Sequence, residues 1–359
     1  MLYQASNPHG GGLYGRTVTL DFSVNTNPLG TPPSVVRAVE ASAGRLCQYP
    51  DPCCRDLTAA LAAYEGTGEN QILCGCGAAE LIYSYCSSIG AESALVTAPT
   101  FSEYAAALTA AGVRVERYHL REEEDFSLTE DFLPALENSG CEAIFLCTPN
   151  NPTGQLIPPA LLEAVCEICR RRGLRLFVDE CFLDLSDGGR AASLSGRLEE
   201  YPGLFLLKAF TKSYGMAGLR LGYCLSADGA LLRAMSRRVQ PWNVSLPAQL
   251  AGVAALGETA FLHSARDLIR RERPVLAEAL QSLGLRVYPS QANYLLLQSP
   301  FDMHAPLLSR GILIRDCSNY EGLGPGWYRI AVKTPAENRT LISALAEITR
   351  DLSSKPLSS

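Results

Sequence analysis

Lysine is nearly missing from this chain. Of 31 lysines and arginines only four are lysines: Lys208, Lys212, Lys333 and Lys355. Long basic runs are missing as well, and the formal net charge is -6. That excludes binding to nucleic acid through a general electrostatic surface, while leaving the arginines free to gather around a small anion. No stretch is long and apolar enough to span a bilayer, and residues 1–15 have no apolar core of a secretory signal, so a cytoplasmic location is expected. There is no internal repeat. Cysteine, by contrast, is plentiful at 13 residues. The pair Cys166 and Cys169 has metal-like spacing but lies in a helical pattern without a second pair, and Cys53, Cys54, Cys74 and Cys76 do not complete a zinc framework. No metal site is expected, and the thiols read as reduced, mostly buried small hydrophobes.

At 359 residues, 47% hydrophobic and 19% charged, the chain is long and apolar enough for a large core and two domains. Residues 1–33 are loop, rich in Gly, Pro and Asn, with one strand over Val18–Val24. Helices follow over Ser34–Ala43 and Asp56–Tyr64. Strands then alternate with helices. The strands are Ile72–Cys74, Ala94–Thr97, Val113–Tyr118, Ala143–Cys147, Leu174–Val178, Leu204–Leu207 and Leu221–Leu225. The helices between them start near Gly77, Pro99, Leu128 and Pro159. The acidic stretch Glu122–Asp125 reads as a solvated loop. Such βα alternation implies an α/β fold, a mostly parallel seven-stranded sheet between helices. After Leu225 the pattern changes to helices over Asp228–Arg238 and Pro247–Leu283, the latter broken near Gly257. Strands Arg286–Tyr288, Tyr294–Leu297, Ile312–Arg315 and Tyr328–Val332 and a helix from Pro335 to Leu352 follow. These form a smaller α+β domain, on which the N-terminal segment is expected to pack. The boundaries expected are an arm and part of the small domain at 1–44, the large domain at 45–265 and the small domain at 266–359. Loose ends are expected at Met1–Pro8 and Ser353–Ser359.

Two of the four lysines stand together, just past the apolar run Leu204–Leu207. A lysine beside a buried strand is costly unless it is paired or does chemistry. Desolvation and neighbouring cations lower the pKa of such an amine, which can then attack a carbonyl to form a Schiff base; arginine cannot. In open parallel sheets ligands bind outside the carboxyl ends of the strands, and there stand Gly75–Ala79, Phe101, Asn151, Asp179 and Lys212. Pyridoxal phosphate would give each a task. A lysine would hold its aldehyde, Asp179 would pair with the pyridinium nitrogen, Asn151 would donate to the ring O3′ and Phe101 would stack on the ring. The free amides of Gly77, Ala78 and Ala79 with Thr211 and Arg220 would hold the phosphate, and Arg329 on a late strand would take a substrate carboxylate. Each residue also has a plainer reading: Lys208 and Lys212 as surface amines, Phe101 as core, Asp179 as a cap, Asn151 as turn chemistry before Pro152, Arg329 as a surface ion pair.

Thr148–Gly154 (Thr-Pro-Asn-Asn-Pro-Thr-Gly), Asp179-Glu180, Thr211-Lys212 and Gly218–Gly222 (Gly-Leu-Arg-Leu-Gly) resemble the motifs of class I/II aminotransferases of pyridoxal-phosphate fold type I, in the family's order and over nearly the whole chain. The resemblance implies that Lys212, not Lys208, is the Schiff-base lysine. It supports the roles given to Asn151, Asp179 and Arg220, and it makes Arg329 the carboxylate-binding arginine. It also makes Tyr49 a residue that reaches the cofactor phosphate of a partner subunit, hence a homodimer with shared active sites.

Within the family, several stretches resemble the branch that decarboxylates a small phosphorylated amino acid. These are His9–Gly15, Asp21–Gly30, Ala292–Leu297 and Ile312–Leu323. The resemblance brings His9, Gly10, Asn27, Arg315 and Arg329 to the substrate. Phe182 stands where the aminotransferases usually carry a tyrosine that donates to O3′. The neighbouring branch, which transaminates histidinol phosphate or a related amino acid, is the alternative expectation. A binding protein without catalysis is a third reading, against which Lys212 argues.

Overall fold

The structure, a computed structural model, describes residues 9–353. Residues 1–8 and most of the expected loose tail lie outside the described residues. In chain order the strands are β1 (Leu20–Asp21), β2 (Ile72–Gly75), β3 (Ser93–Ala98), β4 (Arg114–His119), β5 (Ala143–Cys147), β6 (Arg175–Asp179), β7 (Leu204–Ala209), β8 (Gly222–Leu225), β9 (Arg286–Val287), β10 (Tyr294–Gln298), β11 (Ile312–Leu313), β12 (Arg315–Asp316) and β13 (Trp327–Ala331).

Seven of them form the large sheet in the order β2-β8-β7-β6-β5-β3-β4. Every pairing is parallel except those of β8, which runs against both β2 and β7. The middle strands are buried on both faces, which is why they read as unbroken apolar runs (Ala143–Cys147 and Leu204–Leu207) rather than as alternating ones. Alternate residues feed two apolar layers: Leu146, Val178 and Leu206 on one face, Phe145, Phe177 and Phe205 on the other. The phenylalanines stack across neighbouring strands at centroid distances of 4.6 and 5.2 Å, and Tyr85 closes over them.

A second sheet, β12-β13-β10-β9, is antiparallel, and the short pair β1-β11 lies beside it. Phe22, Leu295, Ile314 and Ile330 bury together with Leu341 and Leu345 of the last helix, Pro335–Ser353. The N-terminal segment thus packs on this sheet through β1 and Phe22. The helix Pro33–Ser42, expected with that arm, instead lies against the helix Leu246–Leu256, and its Val35 joins the large core.

Several boundaries differ from expectation for local reasons. Strand Val18–Val24 shrinks to Leu20–Asp21, because the Asp21 carboxylate accepts from both the amide and the hydroxyl of Ser23 and turns the chain. The helix expected from Leu128 begins at Phe132. The acidic stretch is a 3-10 turn, Glu122–Glu124, and Glu122 accepts from Tyr288 at 2.8 Å. A short helix at His304–Ser309 was not expected. The boundary expected at residue 265 falls inside one unbroken helix, Thr259–Ser282. Its Leu262, Ala265 and Ile269 belong to the large core, while Leu276 and Leu280 belong to the small one. Pro274 stands between them. Among the described residues no helix is long and apolar enough to cross a membrane.

Candidate active site

A cavity of about 210 Å³ opens where the carboxyl ends of β5, β6 and β7 face the start of the helix Gly77–Ser88 and the second sheet. Each strand ends by delivering one polar side chain to it. Past β5, Asn150 is locked from inside: its Oδ1 accepts from Thr100 at 2.7 Å, and its amide donates to Pro99 O at 3.0 Å and Thr153 Oγ1 at 3.1 Å. That fixes the turn and leaves Asn151, the next residue, lining the cavity.

At the end of β6, Asp179 is buried. Its carboxylate accepts from Tyr104 Oη at 2.5 Å and from the Cys181 amide at 2.8 Å. Burial raises its pKa, and these hydrogen bonds and Lys212 only partly offset the rise. It is a buried carboxylate without a full counter-charge, able to pair with a cation brought into the cavity.

Past β7 the two lysines separate. Lys208 stays in the strand, buried, with Glu65 Oε1 and Glu180 Oε2 each at 3.2 Å. Burial opposes its charge, but the nearby carboxylates outweigh that and its pKa rises. Lys212 sits one turn into the short helix Phe210–Ser213 and faces the cavity. Burial first, and then the positive charges of Arg329 and Arg220, depress its pKa to about 8. The same residue type, four positions apart, is thus a permanent cation in one place and an available amine in the other.

The opposite wall is the N-terminus of the helix Gly77–Ser88, whose Ala78 and Ala79 line the cavity with Thr211 and Arg220. Gly77 has φ of 78°, and a Cβ there would come within 2.4 Å of Arg220 Nη2. A Cβ on Gly222 would lie 2.7 Å from the Ala78 nitrogen. The two glycines keep backbone and guanidinium close around a recess of hydrogen-bond donors suited to a phosphate. Phe101 lies edge-on to Tyr104 at 5.6 Å and against His9 at 5.5 Å. The His9 ring nitrogen meets Glu103 Oε1 at 2.7 Å.

From the second sheet come Arg315 and Arg329, register partners on β12 and β13, both buried and both lining the cavity. Arg329 donates through Nη1 to Asn151 Oδ1 and through Nη2 to Ser23 O at 2.9 Å; its buried Nε has no hydrogen-bond partner among the described residues. Arg315 donates to Asn319 at 2.6 Å and lies over the Tyr320 ring.

Of the residues expected at the site, His9, Gly10, Ala78, Ala79, Phe101, Asn151, Asp179, Thr211, Lys212, Arg220, Arg315 and Arg329 line this one cavity. Gly77 stands just behind the lining. Asn27 does not reach the cavity: its amide donates to Ser213 O, and its backbone nitrogen donates to Lys212 O, so it braces the lysine from behind. Tyr49 lies away from it, 79% exposed, with its ring 4.6 Å from that of Trp242. Sequence reasoning missed Tyr104 and Tyr320. Tyr104 follows Phe101 at helical spacing, a signal that was available; Tyr320 comes from an irregular loop and carried none.

The donor set fits pyridoxal phosphate: an available amine for the aldehyde, a buried carboxylate for the ring nitrogen, and amides with an arginine for the phosphate. Residues 17–345 match the family of class I and II aminotransferases. The chain is 38% identical over 333 residues to the threonine-phosphate decarboxylase of Salmonella typhimurium, covering 92% of this chain and 91% of that one. It is 34% identical over 327 residues to the histidinol-phosphate aminotransferase of Methanosarcina mazei, covering 89% of this chain and 85% of that one. The fold is similar, with a TM-score of 0.82 and 26% identity, to the histidinol-phosphate aminotransferase of Sinorhizobium meliloti in complex with pyridoxal 5′-phosphate. That match covers 94% of this chain and 92% of the other.

Proposed function

Because this chain belongs to the class I and II aminotransferase family, a fold type I enzyme whose cofactor is pyridoxal 5′-phosphate, we propose that it decarboxylates L-threonine O-3-phosphate. The products are (R)-1-aminopropan-2-yl phosphate and CO2, for cobalamin side-chain synthesis. The observation that carries the reading is the buried pair Arg315 and Arg329, set side by side across β12 and β13 and facing the amine of Lys212. Two fixed guanidinium groups match a substrate with two anionic ends, a phosphate and a carboxylate. Histidinol phosphate has only one.

When bound, the cofactor withdraws the electron pair of whichever Cα bond stands perpendicular to its ring. The protein's part is orientation and proton handling. Arg315 with His9 would anchor the phosphate and Arg329 the carboxylate, so that the bond from Cα to the carboxylate is the one presented for cleavage. Lys212 Nζ returns a proton to Cα after CO2 has left. Asp179, buried at the end of β6, would pair with the ring nitrogen and keep it positively charged. Phe182, packed edge-on to Tyr294 at 5.1 Å, brings no hydroxyl to O3′.

A second reading, transamination of histidinol phosphate, draws support from the 34% identical relative. The arginine pair would then serve a 2-oxo dicarboxylate. Incubating the holoenzyme with threonine phosphate should release aminopropanol phosphate without any 2-oxo acid. Turnover of histidinol phosphate alone, and only with a 2-oxo acid present, would refute the decarboxylase. The proposal includes a homodimer in which Tyr49 reaches the partner's phosphate site from its exposed position beside Trp242. A monomeric mass by light scattering would remove that part.

A further inference from the structure

Lys208 is the lysine the reaction does not use. Its strand alternates: Leu207 and Ala209 belong to the face that carries the cavity, and Leu206 and Lys208 to the other. On that far face its ammonium contacts Glu65 and Glu180, both with fully buried side chains, and donates to Ser193 Oγ at 3.0 Å. The contacts continue outward. Tyr223 of β8 donates to Glu65 Oε1 at 2.6 Å. Ser193 donates to Glu180 Oε2 at 2.6 Å, and the Leu194 amide donates to Glu180 Oε1 at 2.9 Å.

The groups tied together are the neighbours of the site. Glu180 follows Asp179 directly, and its amide donates to Leu207 O at 2.9 Å. Lys208 lies four residues before Lys212. Tyr223 is the register partner of Lys208 and follows Gly222, which packs on the Ala78 amide. One further tie runs in parallel: Ser213, next to Lys212, donates to Asp184 at 2.9 Å. A buried ionic group of this kind is a poor way to gain stability alone, since apolar side chains of similar volume often do as well. What it supplies here is a fixed geometry, because each partner has a required direction and distance.

We infer that Lys208 is a positioning residue for the reaction. By pinning the ends of β6, β7 and β8 from the face opposite the cavity, it sets the spacing of Asp179, Lys212 and the phosphate recess. The inference rests on the cofactor assignment and not on the choice between decarboxylation and transamination.

The test is titration of the apo protein with pyridoxal phosphate, followed by the visible absorbance of the lysine-bound cofactor, for wild type, Lys208→Arg, Lys208→Met and Leu206→Ala. Leu206→Ala is the control: it leaves a hole on the same face of the same strand without touching the ionic group. Both Lys208 variants should bind the cofactor about tenfold or more weakly, since small misplacements remote from the chemistry are amplified there. The pH midpoint of the visible band should also move in both. Leu206→Ala, at an equal or larger loss of Tm, should keep the wild-type affinity and midpoint. Lys208→Arg keeps the charge, so its result decides if Lys208→Met does not fold. Wild-type affinity and midpoint in a folded Lys208→Arg, with only Tm lowered, would overturn the inference. Absence of the band in wild type would overturn the cofactor assignment and this inference with it.

Discussion

Replacing Arg329 by glutamine should slow the capture of pyridoxal phosphate by Lys212. Lysine ordinarily titrates at 10.5, and here burial and the Arg329 and Arg220 charges bring the amine to about 8. At pH 7 that leaves roughly one Lys212 in ten unprotonated, about 300-fold more than for a solvent lysine. Arg329 is the largest charge effect on this amine, so its removal moves the pKa upward, and each unit of rise reduces the free amine about tenfold at neutral pH. The assay is stopped-flow mixing of apo protein with pyridoxal phosphate, recording the visible band across pH. The rate should rise with pH with a midpoint near 8 in wild type and a higher one in Arg329→Gln. A wild-type midpoint near that of free lysine, or the same midpoint in both proteins, would refute the reasoning. The linked effect on stability has a definite sign. The folded-state pKa lies below the unfolded one, so between about 8 and 10.5 the unfolded chain binds more protons and stability rises with pH. Below that window the buried amine is a full penalty. Apo Lys212→Met should therefore outlast wild type in denaturant at pH 7, and the difference should vanish above about pH 10.5.

Two further outcomes follow from the geometry. Gly77→Ala places a methyl 2.4 Å from Arg220 Nη2 at a φ of 78°, so the phosphate recess must open; cofactor affinity by titration should fall, and unchanged affinity would disprove the close fit. Arg315→Gln removes one charge-assisted contact to the substrate, worth about 1.5–3 kcal/mol. KM for threonine phosphate should therefore rise by about 10- to 100-fold with the cofactor spectrum unchanged, and an unaltered KM would take Arg315 out of the site.

Much of this site was legible because strand ends are legible. Apolar runs such as Ala143–Cys147 stop where a polar residue must face the ligand, and Asn151, Asp179 and Lys212 all lie just past such stops. Apart from the family motif around Lys212, nothing in the neighbouring residues distinguished it from Lys208. The difference between them depends on Glu65, 143 residues before Lys208, and on Glu180, whose side chain leaves the strand on the face away from Asp179. Tyr320 escaped for a similar reason: a loop brings it 3.3 Å from Asn151, with no periodicity to announce it. Asn27 was expected at the substrate and braces Lys212 instead, since a loop rich in Asn and Gly does not reveal which of its side chains turn inward. The boundary expected at residue 265 falls inside a helix that serves two cores at once, and the helical apolar periodicity through Leu262, Ala265, Ile269, Leu276 and Leu280 carries no mark of the change.

That shared helix, Thr259–Ser282, has a mechanical consequence. The sheet that carries Arg315 and Arg329 packs on one end of a rod whose other end is embedded in the core beneath Lys212. Pro274, which offers no amide to the turn before it, is the weakest rung between them. Any swing of one half relative to the other therefore bends the rod at that rung.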